Sequence, residues 1–165
     1  MSAQAFDDAF FKALQSEDEL GLVVRAHIHI EAKLLEFLEV LADAQSLNKM
    51  DLDYGQRVHL AVALGLKEEH AKGLHALGSI RNVFAHKLDS TLSDERVTNF
   101  YKSLGPTDKA AVQQAYERTE TNMKQHEGRK FNHLSPKDRF VLIAVSLQAV
   151  LIMAIRDARK RVRAA

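Results

Sequence analysis

An arginine, an amide and a histidine lie within six residues near the middle of the chain, as Arg81, Asn82 and His86. Histidine can take and return a proton near neutral pH, and arginine can hold a phosphate through two parallel hydrogen bonds. A metal-independent ribonuclease needs these groups and little more, because the 2′-hydroxyl of the RNA attacks the adjacent phosphate. The alternative is a structural helix end, at which Arg81 pairs with Glu31 and His86 stabilises the last carbonyl groups.

The spacing within this cluster limits how one helix can present it. Asn82 and His86 are four residues apart and share a helix face, whereas Arg81 lies about 100° from Asn82 and about 140° from His86 around the axis. Three arrangements would bring the arginine and the histidine together. The backbone could bend near Phe84, the long arginine could reach round, or two copies of the segment could meet across a subunit interface.

Two further polar residues, His27 and Glu31, fall four apart on the apolar stripe of a predicted helix. A polar side chain in such a place must find a partner or cost roughly a few kcal/mol. We expect the two to face each other or Arg81, as structural partners or as support for the cluster. A metal site is not expected, because His29 points to the other side of the helix and no third ligand is placed by the sequence.

Motifs of other enzyme classes are missing from the sequence. It has no Gly-x-x-x-x-Gly-Lys phosphate loop, no Gly-x-Gly-x-x-Gly, no Gly-x-Ser-x-Gly and no His-Glu-x-x-His. We therefore expect neither a cofactor nor a metal. Several histidines show no spacing to an acid that would define a catalytic pair, and these are expected to be surface or packing residues: His59, His70, His75, His126 and His133.

Composition fits one soluble globular domain. The chain has 165 residues, 46% of them hydrophobic and 27% charged, with a net charge of +1. So small a charge provides no whole-molecule attraction to nucleic acid or anionic lipid. The absence of cysteine and of a secretory signal at the amino terminus favours a cytoplasmic location.

Apolar residues recur at spacings of three and four, and prolines and glycines are few, which predicts an all-α, single-domain helical bundle over residues 1–165. Gly73 and Gly78 would weaken their helix unless another element packs closely against them. The predicted helices cover 20–41, 52–64, 67–87 and 93–104, with another starting at Thr107, a polar connector at 126–133 and a C-terminal packing helix at about 136–161.

The apolar run from Phe140 to Ile155 resembles a membrane anchor followed by basic residues. Its 16 residues would span roughly 24 Å, against roughly 30 Å for a bilayer core. We therefore expect a helix buried in the core or at a dimer interface, and no membrane partner.

The stretch from residue 55 to 87, GQRVHLAVALGLKEEHAKGLHALGSIRNVFAHK, resembles the mannitol operon repressor-like (MltR) family. In that family a helix, a Leu-Gly-Leu turn and a terminal Ile-Arg-Asn-x-Phe-Ala-His follow one another in this order. The preceding helix, AHIHIEAKLLEFLEVL, fits as well, with Glu31 where relatives tend to be acidic. The resemblance covers roughly residues 20 to 90. The Arg-Asn-x-x-x-His element also resembles the signature of the HEPN superfamily of helical ribonucleases and nucleotide-binding domains.

The two resemblances imply different functions. Mannitol-repressor-like proteins are all-α regulators that act through partner proteins rather than by touching operator DNA, and no helix-turn-helix with a basic recognition helix is found in this sequence. HEPN toxins cut RNA at a cleft to which two subunits each bring the arginine and the histidine. Arg81, Asn82 and His86 are the residues that correspond to that signature.

The leading prediction is a cytoplasmic homodimer that works as a regulatory or protein-interaction module and does not bind DNA sequence-specifically. The alternative is a metal-independent endoribonuclease, such as the toxin of a toxin–antitoxin pair, with His86 as acid and base and Arg81 as phosphate holder. Its partner protein would then be an antitoxin and its substrate RNA. A third hypothesis is a nucleotide-binding domain in which Arg81 holds a phosphate.

Overall fold

The computed structural model describes residues 7–87, 89–122 and 130–165. These ranges are helical apart from short connections and contain no strand, which confirms the all-α prediction. The helices are α1 (Asp8–Gln15), α2 (Glu19–Leu41), α3 (Ala44–Lys49), α4 (Tyr54–Ala63), α5 (Glu68–His86), α6 (Asp94–Ser103), α7 (Pro106–Asn122) and α8 (Pro136–Ala164), and a 3-10 turn covers Phe131–His133.

The central element of the fold is α8. Every residue from Phe140 to Leu151 is buried, and α2 and α7 make the most extensive contacts with this helix. Within the described ranges α8 is the one helix long and apolar enough to cross a membrane, yet 78% of its apolar window is buried inside the fold. The prediction of a buried core helix is confirmed.

Side-chain caps explain why most helix starts could be predicted. Asp18, Ser93 and Ser135 each accept a hydrogen bond from a backbone N–H of the first turn. Asp53 and Gln56 form a capping box, so α4 begins at Tyr54 rather than at residue 52. Each cap satisfies an N–H group that has no partner inside the helix.

Two short helices were not predicted. The first, α1, is capped by Asp7 and buries Phe10, Phe11 and Leu14. The second, α3, has six residues, of which Leu47 alone is buried. Both are shorter than the window over which helical periodicity can be recognised. Part of the predicted connector, residues 126–129, lies outside the described residues.

The site is positioned by α2, α4 and α5. Close contacts compensate for both glycines of α5, as predicted. A Cβ at Gly78 would approach Tyr54 Cε1 to 2.8 Å, and one at Gly73 would approach Leu104 Cδ2 to 2.8 Å. Tyr54 therefore packs directly against the backbone of α5, which draws the start of α4 close to it.

Candidate functional site

The cluster of Arg81, Asn82 and His86 lies on the exposed side of α5 at its carboxyl end. The opposite side is anchored by Ile80 and Phe84, which are buried. The helix runs unbroken through His86, so a break in the helix at Phe84 is not how the three side chains are presented. All three are exposed.

A cleft with a volume of about 500 Å³ lies between α2, the start of α4, and α5. Four of the five candidate residues line it: Arg81, Asn82, His27 and Glu31. His86 is not among its lining residues. One chain therefore gathers the arginine, the amide and the two supporting residues, but leaves the histidine of the motif outside. The other lining residues are Asp53, Tyr54, Gly55, His75, Gly78 and Ser79.

Glu31 pairs with an arginine that was not predicted. Its Oε1 accepts a hydrogen bond from Arg57 Nη1 at 2.7 Å, and its Oε2 lies 3.7 Å from His27 Nδ1. The expectation that His27 and Glu31 face each other is confirmed. The alternative in which Glu31 pairs with Arg81 is not what the structure shows, because Arg57 on α4 forms that ion pair. The sequence gives no spacing rule that brings residue 57 to residue 31, since only tertiary packing joins the two helices.

Among the described residues, no carboxylate forms an ion pair with Arg81. Its Nη1 donates a hydrogen bond to the neighbouring Asn82 Oδ1 at 3.2 Å. Its positive charge also reaches His27: burial lowers the pKa of His27, Glu31 raises it, and Arg81 lowers it further. The guanidinium thus lies at the edge of the cleft, near a histidine kept neutral by burial, and is available to an anionic group from outside.

Tyr54 and His27 line the cleft and pack against each other. Their ring centroids are 4.4 Å apart, and the Tyr54 hydroxyl donates to the Leu74 carbonyl oxygen at 3.0 Å. Burial, with the nearby charge of Glu31, raises the pKa of Tyr54, so its hydroxyl stays protonated and keeps this bond. Among the described residues, no group of three or more His, Cys, Asp or Glu side chains could share a metal ion.

One of the remaining histidines is buried and has an acidic partner that was not predicted. His70 Nδ1 lies 2.6 Å from Asp108 Oδ1, and both side chains are buried. The two residues are 38 positions apart, one in the first turn of α5 and the other in the first turn of α7. Sequence spacing could not find this pair, because it depends on the two helix starts lying side by side.

The chain matches no model of a known protein family, no characterised protein and no solved structure with which it was compared. The resemblances to the mannitol-repressor-like family and to the HEPN superfamily therefore depend on the sequence pattern of residues 20 to 90 and on its motif.

Proposed function

We propose that this protein is a cytoplasmic, homodimeric regulatory module of the mannitol-repressor-like type, which acts by binding a partner protein and not by reading DNA sequence. The observation that supports this best is an exposed apolar stripe beside the motif. Leu20 and Ile28 on α2 are 50% and 58% exposed, although both are large hydrophobic side chains. Half-buried Val24 lies between them, and the four-residue spacing puts all three along one face of the helix.

This stripe and the motif belong to neighbouring helices. Burial lowers the pKa of His27 on α2, and the nearby charge of Arg81 lowers it further. Glu19 at the start of α2 accepts a hydrogen bond from the backbone N–H of Leu92, which follows the end of α5. The two helices therefore run in opposite directions, so that the first turns of α2 lie beside the end of α5. An interface here would combine an apolar centre with polar groups at its rim.

A second copy is the occupant that this surface suits. In a two-fold interface each copy presents the same patch to the other. Two copies of Arg81, Asn82 and His86 would then surround one hollow, which is the third of the arrangements that the spacing allows. The partner protein would bind to this shared polar surface.

The dimer is tested by sedimentation equilibrium of Ile28→Glu. We expect the wild type to have twice the 18.5 kDa mass of one chain and the variant to be a monomer, because a buried unpaired charge opposes association. Met50→Glu is the matched control, since Met50 is 53% exposed but lies at the end of α3. A monomeric wild type would overturn this part of the proposal.

Partner binding is tested by capture from a native extract of the source cells. Wild-type protein should retain a defined regulator, and the double variant Arg81→Ala/His86→Ala should lose it. Lys72→Ala is the control, because Lys72 is an exposed cation on the same helix. Equal capture by all three proteins would show that the motif does not bind the partner.

A metal-independent endoribonuclease is the second candidate function. The observation in its favour is that Glu31 is held by Arg57, which leaves the Arg81 guanidinium to bind a phosphate. His86 from the same or the other subunit would transfer the proton, while Asn82 orients the guanidinium through their hydrogen bond. An antitoxin would then be the partner protein.

The nuclease is tested with mixed-sequence RNA in the presence of EDTA. If the candidate is correct, the wild type cleaves the RNA, His86→Ala lowers the rate by roughly 10²- to 10⁴-fold, and Arg81→Ala abolishes cleavage. His133→Ala and Lys72→Ala, which change an exposed histidine and an exposed lysine, should retain the wild-type rate. Absence of cleavage by the wild type would leave the regulatory proposal standing alone.

A further inference from the structure

A second cavity, with a volume of about 500 Å³, lies at the opposite end of α5 from the motif. It is bordered by α2, by the turn between α4 and α5, and by α7 and α8. We propose that this cavity binds a small amphipathic anion, an alkyl chain that carries a carboxylate or a phosphate, with the anionic group at Lys67 and Arg161 and the chain between α2 and α8. The His70 ring would form a further hydrogen bond with the ligand, as donor or acceptor.

Two cations, Lys67 and Arg161, are exposed lining residues of the cavity, and neither forms an ion pair with a carboxylate of the described residues. Hydrogen bonds from Thr107 are the main cause that lowers the pKa of Glu69, and the nearby charge of Lys67 contributes to it without an ion pair. Asp157 also lines the cavity, but its Oδ1 is 3.7 Å from Lys160 Nζ, which offsets its charge. The lining therefore favours an anion.

The turn before α5 leaves room for the Arg161 side chain. Gly65 has a φ of +107°, a conformation that side chains rarely adopt, and a Cβ there would lie 3.1 Å from Arg161 Nη1. The guanidinium thus packs on the bare backbone of this turn. Lys67 follows two residues later as the residue preceding α5, so that both cations converge on one side of the cavity.

The buried pair of His70 and Asp108 supplies a fixed polar group. His70 lines the cavity, and its Nδ1 is engaged by Asp108 Oδ1 at 2.6 Å. The other ring nitrogen, Nε2, is left for a ligand, and the carboxylate holds the ring in one orientation.

Several further lining residues are apolar, beside the polar side chains of Thr107 and Gln114. Phe37, Leu66, Val150 and Met153 form walls that suit a short hydrocarbon chain, and the volume is within the range of roughly 300–1,000 Å³ usual for small-molecule sites. The cavity is separate from the motif cleft, because His70 and Arg81 are 11 residues apart on α5, or roughly 16 Å along its axis. Binding here does not depend on the proposed function of the motif.

Calorimetry with four probes tests the chemistry of the ligand. We expect saturable binding of octanoate or octyl phosphate, at least tenfold weaker binding of 1-octanol, and no heat from inorganic phosphate alone. Preference between the two alkyl anions identifies the anionic group. Failure of both to bind, or equally tight binding of 1-octanol, would overturn the proposal.

Variants locate the site. Arg161→Gln should weaken binding of the preferred anion about tenfold, which corresponds to about 1.4 kcal/mol, whereas Arg163→Gln, at the exposed end of the same helix, should not. Ala110→Trp should block the cavity without disturbing the core, because Ala110 is an exposed lining residue. Thermal melting of each variant establishes that it is folded. Unchanged binding in both Arg161→Gln and Ala110→Trp would place the ligand elsewhere.

Discussion

Glu31 determines what the neighbouring arginines can do. Its carboxylate is shared between Arg57 and His27, and Arg81 is left with the neutral amide of Asn82. Arg57, which is not part of the motif, thus forms the ion pair with Glu31, and the Arg81 guanidinium lies at the edge of the cleft.

Replacing Glu31 by Gln should lower the free energy of unfolding by about 1 kcal/mol, because both carboxylate contacts are weakened in a setting where each partner of the ion pair is 30% exposed. Urea denaturation measures the change. Glu39→Gln, an exposed position on the same helix, is the control and should shift the midpoint little. Equal stability of the two variants would show that water replaces the ion pair without loss.

Arg81→Gln should raise the pKa of His27. Burial is the main cause that lowers this pKa, and the Arg81 charge lowers it further, so removal of that charge favours the imidazolium. Titration of the His27 ring signals by NMR measures the change, with Lys72→Gln as the control. An unaltered His27 titration in Arg81→Gln would mean that the guanidinium is directed away from the cleft.

The same histidine predicts a pH dependence of stability. His27 has a lower pKa in the folded than in the unfolded chain, so the unfolded chain binds the proton first as the pH falls. Its contribution is fully present above the unfolded value of about 6.5 and is lost as the pH falls toward the folded pKa. Urea midpoints between pH 5 and pH 8 should therefore decline on the acid side, and His27→Gln should decline less steeply. Parallel curves would contradict this.

At the scale of the helices, the contact between α4 and α5 forms one side of the cleft. Gly78→Ala should destabilise the fold by about 1 kcal/mol, because the added Cβ meets the Tyr54 ring, whose hydroxyl is fixed on α5. Gly55→Ala is the matched control in α4, where a Cβ would meet Asp53 Oδ1 at an ordinary 3.4 Å. Chemical denaturation of both variants measures the change in the free energy of unfolding. A gain in stability for Gly78→Ala would show that the Tyr54 ring moves aside to make room for the added Cβ.

The elements themselves were largely predictable, and the polar pairs between helices were not. Apolar periodicity and caps such as Asp18 and Ser135 are local signals, so α2, α5 and α8 could be found within a few residues of their bounds. The contact of Glu31 with Arg57 and that of His70 with Asp108 depend on which helices pack side by side, and no local spacing encodes that. The exposed cluster at the end of α5 could be located from its motif. The position of His86 outside the cleft could not be predicted.

At the scale of the whole molecule, one chain does not bring the arginine and the histidine of the motif into one cleft. Arg81 borders the cleft and His86 lies beyond it, while exposed apolar side chains flank the same end of α5. Both proposed functions, partner binding and RNA cleavage, need these groups in one hollow. Association of two copies along this face is the condition that both share.

Crosslinking of Ala85→Cys tests this association most directly. The chain has no cysteine, and Ala85 is exposed between Asn82 and His86, so the variant carries one thiol within the motif, at the predicted interface. Lys72→Cys places the same thiol on α5, away from its end. We predict that a short bismaleimide converts Ala85→Cys to a covalent dimer under conditions that leave Lys72→Cys monomeric. Monomeric Ala85→Cys, or equal crosslinking of both variants, would contradict the account.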